Sequence, residues 1–411
     1  MPKALKQIMR RLRAERPTPR RRQFELRPVD ALETRIMPTA IVAFTGTALT
    51  ITSDTSDNNI TVERIGGQLH VDANGGTISV LGSLVPEFFF PLGGAFNLTA
   101  KFSDGNDQLL VQGGLQLKSA TVTMGDGLTN VVTFFDATLT GKLSIDSDDG
   151  TDLVTIATTS VTGTTTIDTG WNTDLVTIIG GTFTGATTIK TDLGTDIIAI
   201  QGAGPRVKFV GKLTITTGDD TDQVSLILAD TKALSIDTGD SLDGVNMADV
   251  LVGGAVSVKT GGGTDQLIIQ GVIQSVAGAN VIDTGSDIDF IVMAENSFLG
   301  ATTINLGSGG PNSLAIDDTS FNGAFTLTTQ GFADFILIEQ NTALTGATTF
   351  AKPAKFTLGI ACNILLGTAD PASITNFLST STFTGRNIVS TLTVTVPVSY
   401  THLTLPTILR V

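Results

Sequence analysis

The sequence predicts an all-β protein built as a parallel β-solenoid, and three observations predict it. The first is composition: 41% of the 411 residues are hydrophobic, 16% are charged and 45 are glycine. Charge falls well below the roughly 25% of an ordinary globular domain, while the large apolar fraction excludes an intrinsically disordered chain. The second is an Asp or Asn that recurs at Asp107, Asn130, Asp152, Asp174, Asp196, Asp222, Asp265, Asp289, Asn312 and Asp334. These anchors lie 22 to 26 residues apart, except for one interval of 43 that reads as hiding a degenerate unit around Asn246. The third is alternation: two and four positions after every anchor the residue is apolar, from Leu109 and Val111 to Ile336 and Ile338. Period two on a β-branched background marks a strand with one buried face.

A second strand is expected inside each unit, as in Val161 to Ile167, Phe183 to Ile189 and Phe298 to Ile304. A unit of this size cannot close a core by itself, but about eleven stacked copies share one. At ~4.8 Å per coil they form a rod of roughly 50–55 Å. The alternative is a β-propeller, whose blades need about 40–50 residues and four strands each.

Taken in chain order, residues 1–39 read as a disordered basic leader. Residues 1–37 hold eleven Lys or Arg against four acids, a net of +7 that leaves −21 for the rest of a chain whose formal charge is −14. An acidic body repels phosphate, which argues against nucleic acid as a partner. No run approaches ~20 consecutive apolar residues, so no transmembrane helix is expected. Arg21-Arg22-Gln23-Phe24 resembles a twin-arginine export signal, but Glu25, Arg27 and Asp30 occupy the place of its apolar region.

The segment Ala31-Leu32-Glu33-Thr34-Arg35-Ile36-Met37-Pro38 resembles the "A-L-E-x-R-x-x-P" signature closing the Arg-rich leader of many planctomycete surface or secreted proteins. In that group Thr- and Gly-rich β repeats follow. The resemblance implies a destination, extracellular or in the cell envelope, and no chemistry.

Residues 40–100, with short apolar runs around a Gly66-Gly67 turn, read as a β cap on the N-terminal edge, and residues 101–397 as the solenoid itself. Residues 398–411, which include the only Tyr, Tyr400, and one of the two His, His402, depart from the body in composition. They resemble a translated sequencing-adapter read-through and read as a non-native tail.

The loops before the anchors carry the only chemical signal. Gly150-Thr151-Asp152, Gly194-Thr195-Asp196 and Gly261-Gly262-Gly263-Thr264-Asp265 resemble half of the calcium-binding RTX nonapeptide, although one loop comes per ~22 residues and not per nine. The resemblance implies calcium between neighbouring coils, held by Asp152, Asp174, Asp196, Asp222 and Asp265 with loop carbonyls. Aligned carboxylates one coil apart repel by roughly 1 kcal/mol at water-like dielectric and ~3–4 at an effective value of 20, and a divalent cation relieves this. The competing reading is that Gly-x-Asp supplies turn geometry alone.

Catalysis finds less support. His70 is the only histidine before the tail, and the unpaired Cys362 reads as a small buried residue. Asn172-Thr173-Asp174 and Asp219-Asp220 resemble polygalacturonase acid motifs but also fall out of the repeat. Two acids suffice for glycoside chemistry, so a carbohydrate-active enzyme, with Arg206 and Lys208 binding an acidic sugar, is the alternative function. The expectation is a non-enzymatic structural or adhesive surface protein, with cell-envelope or matrix components, polysaccharide among them, as partners. An exposed Trp171 would suit stacking on sugar rings.

Overall fold

A computed structural model describes residues 39–341, 344, 346–367, 374–385 and 398–400. The expected leader, apart from Thr39, lies outside them, as do 401–411 of the expected tail. Among the described residues there is no helix; parallel coils about 22 residues apart stack into a β-solenoid.

Each regular coil has three strands where the sequence pattern suggests two. In one coil these are Thr151–Ala157, Ser160–Val161 and Thr165–Asp168. The run expected as a single strand from Val161 to Ile167 breaks at Gly163, where the chain turns a corner. A Cβ on Gly163 would stand 2.5 Å from the carbonyl carbon of Gly141 one coil earlier, and on Gly185 it would stand 2.3 Å from the carbonyl oxygen of Gly163. Backbones from successive coils cross there too closely for any side chain.

The three faces stack in register. Val154 pairs with Val176 and Ile156 with Ile178, Val161 with Phe183, and Ile167 with Ile189. The next coil repeats this with Ile198, Ile200, Phe209 and Ile215. All these side chains are buried, so each inward position becomes an apolar column along the axis. Toward the C-terminal end one column turns aromatic: Phe298, Phe321, Phe350 and Phe377 stack with centroid separations of 5.7, 5.1 and 4.9 Å. Such pairs add about 0.5–1.5 kcal/mol each beyond the area they bury.

The unit that reads as degenerate in the sequence keeps its place in the stack, with its first two faces merged into one strand, Gly244–Val252, ahead of Val256–Lys259. Its anchor is Asp243, 21 residues after Asp222 and 22 before Asp265. Val245 and Met247 follow it as the buried pair, and Asn246 lies between them, half-buried. The insertion Gly202-Ala203-Gly204-Pro205 occupies a corner, and the flanking faces keep their register.

Antiparallel pairing closes the N-terminal end. Asn59–Ile65 and Gln68–Asp72 form a hairpin through Gly66 and Gly67, at φ +58° and +80°. Two consecutive left-handed residues match the twist of a tight hairpin. Glu87–Pro91 adds to its far side, while Thr39–Phe44 pairs with Ala48–Thr52. Asn59–Ile65 also runs parallel to Gln108–Val111, so the cap is continuous with the first coil.

Candidate functional site

The anchors form one column along an edge of the solenoid, as the sequence suggests, but they are buried there. Asp152, Asp174, Asp196, Asp222 and Asp265 are at most 2% exposed. Each Oδ1 accepts the backbone N–H of the anchor one coil earlier. Asp152 N donates to Asp174, Asp174 N to Asp196, and Asp196 N to Asp222, each at 2.8 Å. Asp222 N to Asp243 and Asp243 N to Asp265 follow at 2.9 Å. The ladder reaches back to Asn58, whose N–H donates to Asp107, and forward to Asp334.

The second oxygen of each carboxylate is the unusual part. Oδ2 of Asp107, Asp152, Asp174, Asp196, Asp222, Asp243, Asp265 and Asp289 is buried without a well-formed hydrogen bond. From Asp152 to Asp289, a Ser or Thr hydroxyl five residues ahead of each Asp (Ser147, Thr169, Thr191, Thr217, Thr238, Thr260 and Thr284) lies close enough to lower its pKa. Burial outweighs these contacts. It pushes Asp174 up to about 8, Asp196, Asp243 and Asp289 to about 7, and Asp152 and Asp222 to about 6. Asp265 is raised by the same cause. Desolvation disfavours the charged carboxylate. A protonated Oδ2 could donate to the neighbouring hydroxyl while Oδ1 still caps the backbone.

The hydroxyl column is the part the sequence reading missed. Its signal was present as a Ser or Thr at a constant five-residue offset from the anchor. Where the anchor is Asn, the second atom finds a carbonyl instead: Asn130 Nδ2 donates to Gly125 O at 3.1 Å and Asn312 Nδ2 to Leu306 O at 3.0 Å. Hard divalent cations need several converging oxygens. In the column Oδ1 is already engaged by a backbone donor. Among the described residues, the three carboxylate or imidazole ligand atoms that do converge, within 4.8 Å, belong to His70, Asp72 and Glu87 in the cap.

The other singled-out residues are placed as follows. Arg206 donates to the carbonyls of Ala229 and Asp249 and lies 3.6 Å from Asp230, tying the insertion to the next two coils. Lys208 is exposed on Val207–Thr216, in register with Thr182 and Asp230 on the neighbouring strands. Lys190, not singled out by the sequence, is held by Asp192 at 2.6 Å and Asp168 at 3.7 Å. Cys362 is buried against Thr329 and Asp334, and burial pushes its thiol above the usual range. Outside the column, the turns of four successive coils line an open trough of about 670 Å³. Asn106, Asp126, Leu128, Asp149 and Asn172 face it, and Trp171, next to Asn172, is 56% exposed. No helix among the described residues is long and apolar enough to cross a membrane. No family model, curated protein or solved structure matches the chain.

Proposed function

We propose that the protein is a structural and adhesive β-solenoid of the cell exterior, extracellular or attached to the envelope, and that it has no catalytic activity. The observation that carries this reading is the stack itself: every regular coil repeats the same three faces, the anchor acids fall in a single column, and the other buried acids, Asp317 and Glu339, accept backbone N–H groups of Gln340 and Asp318. A site degrading an acidic polysaccharide would need free cations beside its acids, whereas Arg206 is committed to the carbonyls of Ala229 and Asp249, and the trough that gathers Asp126 and Asp149 has no Lys or Arg among its lining residues. The leader resemblance supports the location.

The trough is the adhesive surface in this reading. An exposed indole beside amides and carboxylates suits neutral sugar chains, with ring faces stacking on Trp171 and hydroxyls donating to Asp126 and Asp149. Antibody labelling of intact and of lysed cells tests the location: signal only after lysis would overturn it. Co-sedimentation with insoluble neutral polysaccharide tests adhesion, with Trp171→Ala expected to weaken it several-fold. Equal binding by the variant would remove the trough from the assignment.

A further inference from the structure

We infer that the N-terminal cap holds a transition-metal site of zinc type, with His70, Asp72 and Glu87 as ligands. The register of the cap sheet builds it. His70 and Asp72 are two residues apart on Gln68–Asp72 and therefore share a face. Glu63 stands opposite His70 on one neighbouring strand, and Glu87 stands opposite Asp72 on the other. Leu69 and Val71, between them in sequence, are buried on the core side.

The imidazole is positioned for coordination through Nε2. That atom lies 2.7 Å from Glu87 Oε2, and one ligand atom each of His70, Asp72 and Glu87 lies within 4.8 Å of the others. Zinc bonds of about 2.0–2.2 Å require ligand atoms roughly 3.3 Å apart, so the ion would spread the Nε2–Oε2 edge from 2.7 Å while drawing in the longer edges, none above 4.8 Å. Nδ1 is 3.0 Å from Glu63 Oε1 and donates to it when Nε2 is the bare nitrogen. Gln112 holds the other oxygen of Glu63 at 3.0 Å. A carboxylate on the far nitrogen fixes the tautomer and ring orientation that a metal-binding imidazole needs. Phe89 stacks on the ring at 4.3 Å and 20°, which limits its rotation.

The ligand set of one imidazole and two carboxylates suits zinc or cobalt better than calcium, which takes six to eight oxygens. The Glu87 side chain is 49% exposed, so the site is open to solvent on that side and leaves room for water as a further ligand. An ion there would join Gln68–Asp72 to Glu87–Pro91, clamping the added strand of the cap.

The test is titration of the full chain with zinc chloride, and with cobalt chloride as an optical probe, in a His402→Ala background that removes the tail histidine. The expected result is one ion per chain, visible cobalt absorption, and a zinc-dependent rise in melting temperature. Asp72→Asn and Glu87→Gln should each weaken binding at least tenfold. Glu63→Gln should weaken it by about 10–100-fold while keeping the one-to-one stoichiometry, as expected for a residue that orients a ligand. The metal-free melt of each variant, set beside that of the parent, separates lost binding from lost folding. No retained zinc after dialysis, or unchanged affinity in Asp72→Asn and Glu87→Gln, would overturn the site.

Discussion

At Asp174 the solenoid holds an acid in a place that favours its neutral form. Burial raises its pKa to about 8, far above the ordinary 3.8. The native column therefore binds protons that the unfolded chain releases near pH 4. Stability contributed by this binding is fully present below about pH 4, falls as pH rises from there, and is lost once pH has passed the folded values of about 6 to 8. Melts between pH 5 and pH 8 should show the melting temperature falling as pH rises; a rise would contradict the burial of the column. Asp174→Asn replaces a carboxylate with an amide that caps the backbone equally well and can donate to Thr169. Asn130 and Asn312 already cap Asp107 N and Asp289 N in this way, with their Nδ2 groups donating to carbonyls. The substitution should stabilise the protein by about 1–3 kcal/mol at pH 8 and by less at pH 5, read by urea denaturation. Melts with millimolar calcium and with chelator are expected to coincide, since Oδ1 is already occupied. A gain with calcium would return the five aspartates to the role of metal ligands.

At the scale of the strand, the sequence was legible wherever side-chain alternation was the whole signal. The face beginning at each anchor could be read because its buried positions are apolar at every copy. The corner at Gly163 could not be read, because inward positions continue across it at period two, from Val161 to Thr165 and Ile167. Alternation does not register a bend that preserves it. The Asp243 anchor was obscured differently: Gly244 follows it where the other coils place Gln, Val, Leu, Ile, Phe or Ser, and Asp240 stands close by. The cap site was hidden because its members come from three strands and meet only through antiparallel register. Gly185→Ala should cost about 1–3 kcal/mol, the usual penalty of overpacking, because its Cβ would strike the Gly163 carbonyl. Gly93→Ala, where a Cβ meets nothing within 4 Å, should be near neutral in the same denaturation series.

Among the described residues, the stack behaves as a nearly one-dimensional object in which each coil touches chiefly its neighbours, with Arg206 reaching one coil farther. Its N-terminal edge is covered by antiparallel strands, and uncovered edges pair with other chains. Deleting residues 1–101 should therefore yield a protein that self-associates, seen as concentration-dependent light scattering. A monodisperse product would show that the coils below need no cover.

The aspartate ladder also has a direction. From Asp107 to Asn312 each anchor N–H donates forward, to a carboxylate or amide oxygen that arrives 21 to 26 residues later in the chain. Each finished coil thus presents the donor that its successor must meet, and no coil waits on a partner far away in sequence. A polypeptide delivered N-terminus first, from a ribosome or through a narrow pore, can wind itself up in the order of its emergence, with the completed part serving as template for the part still to come.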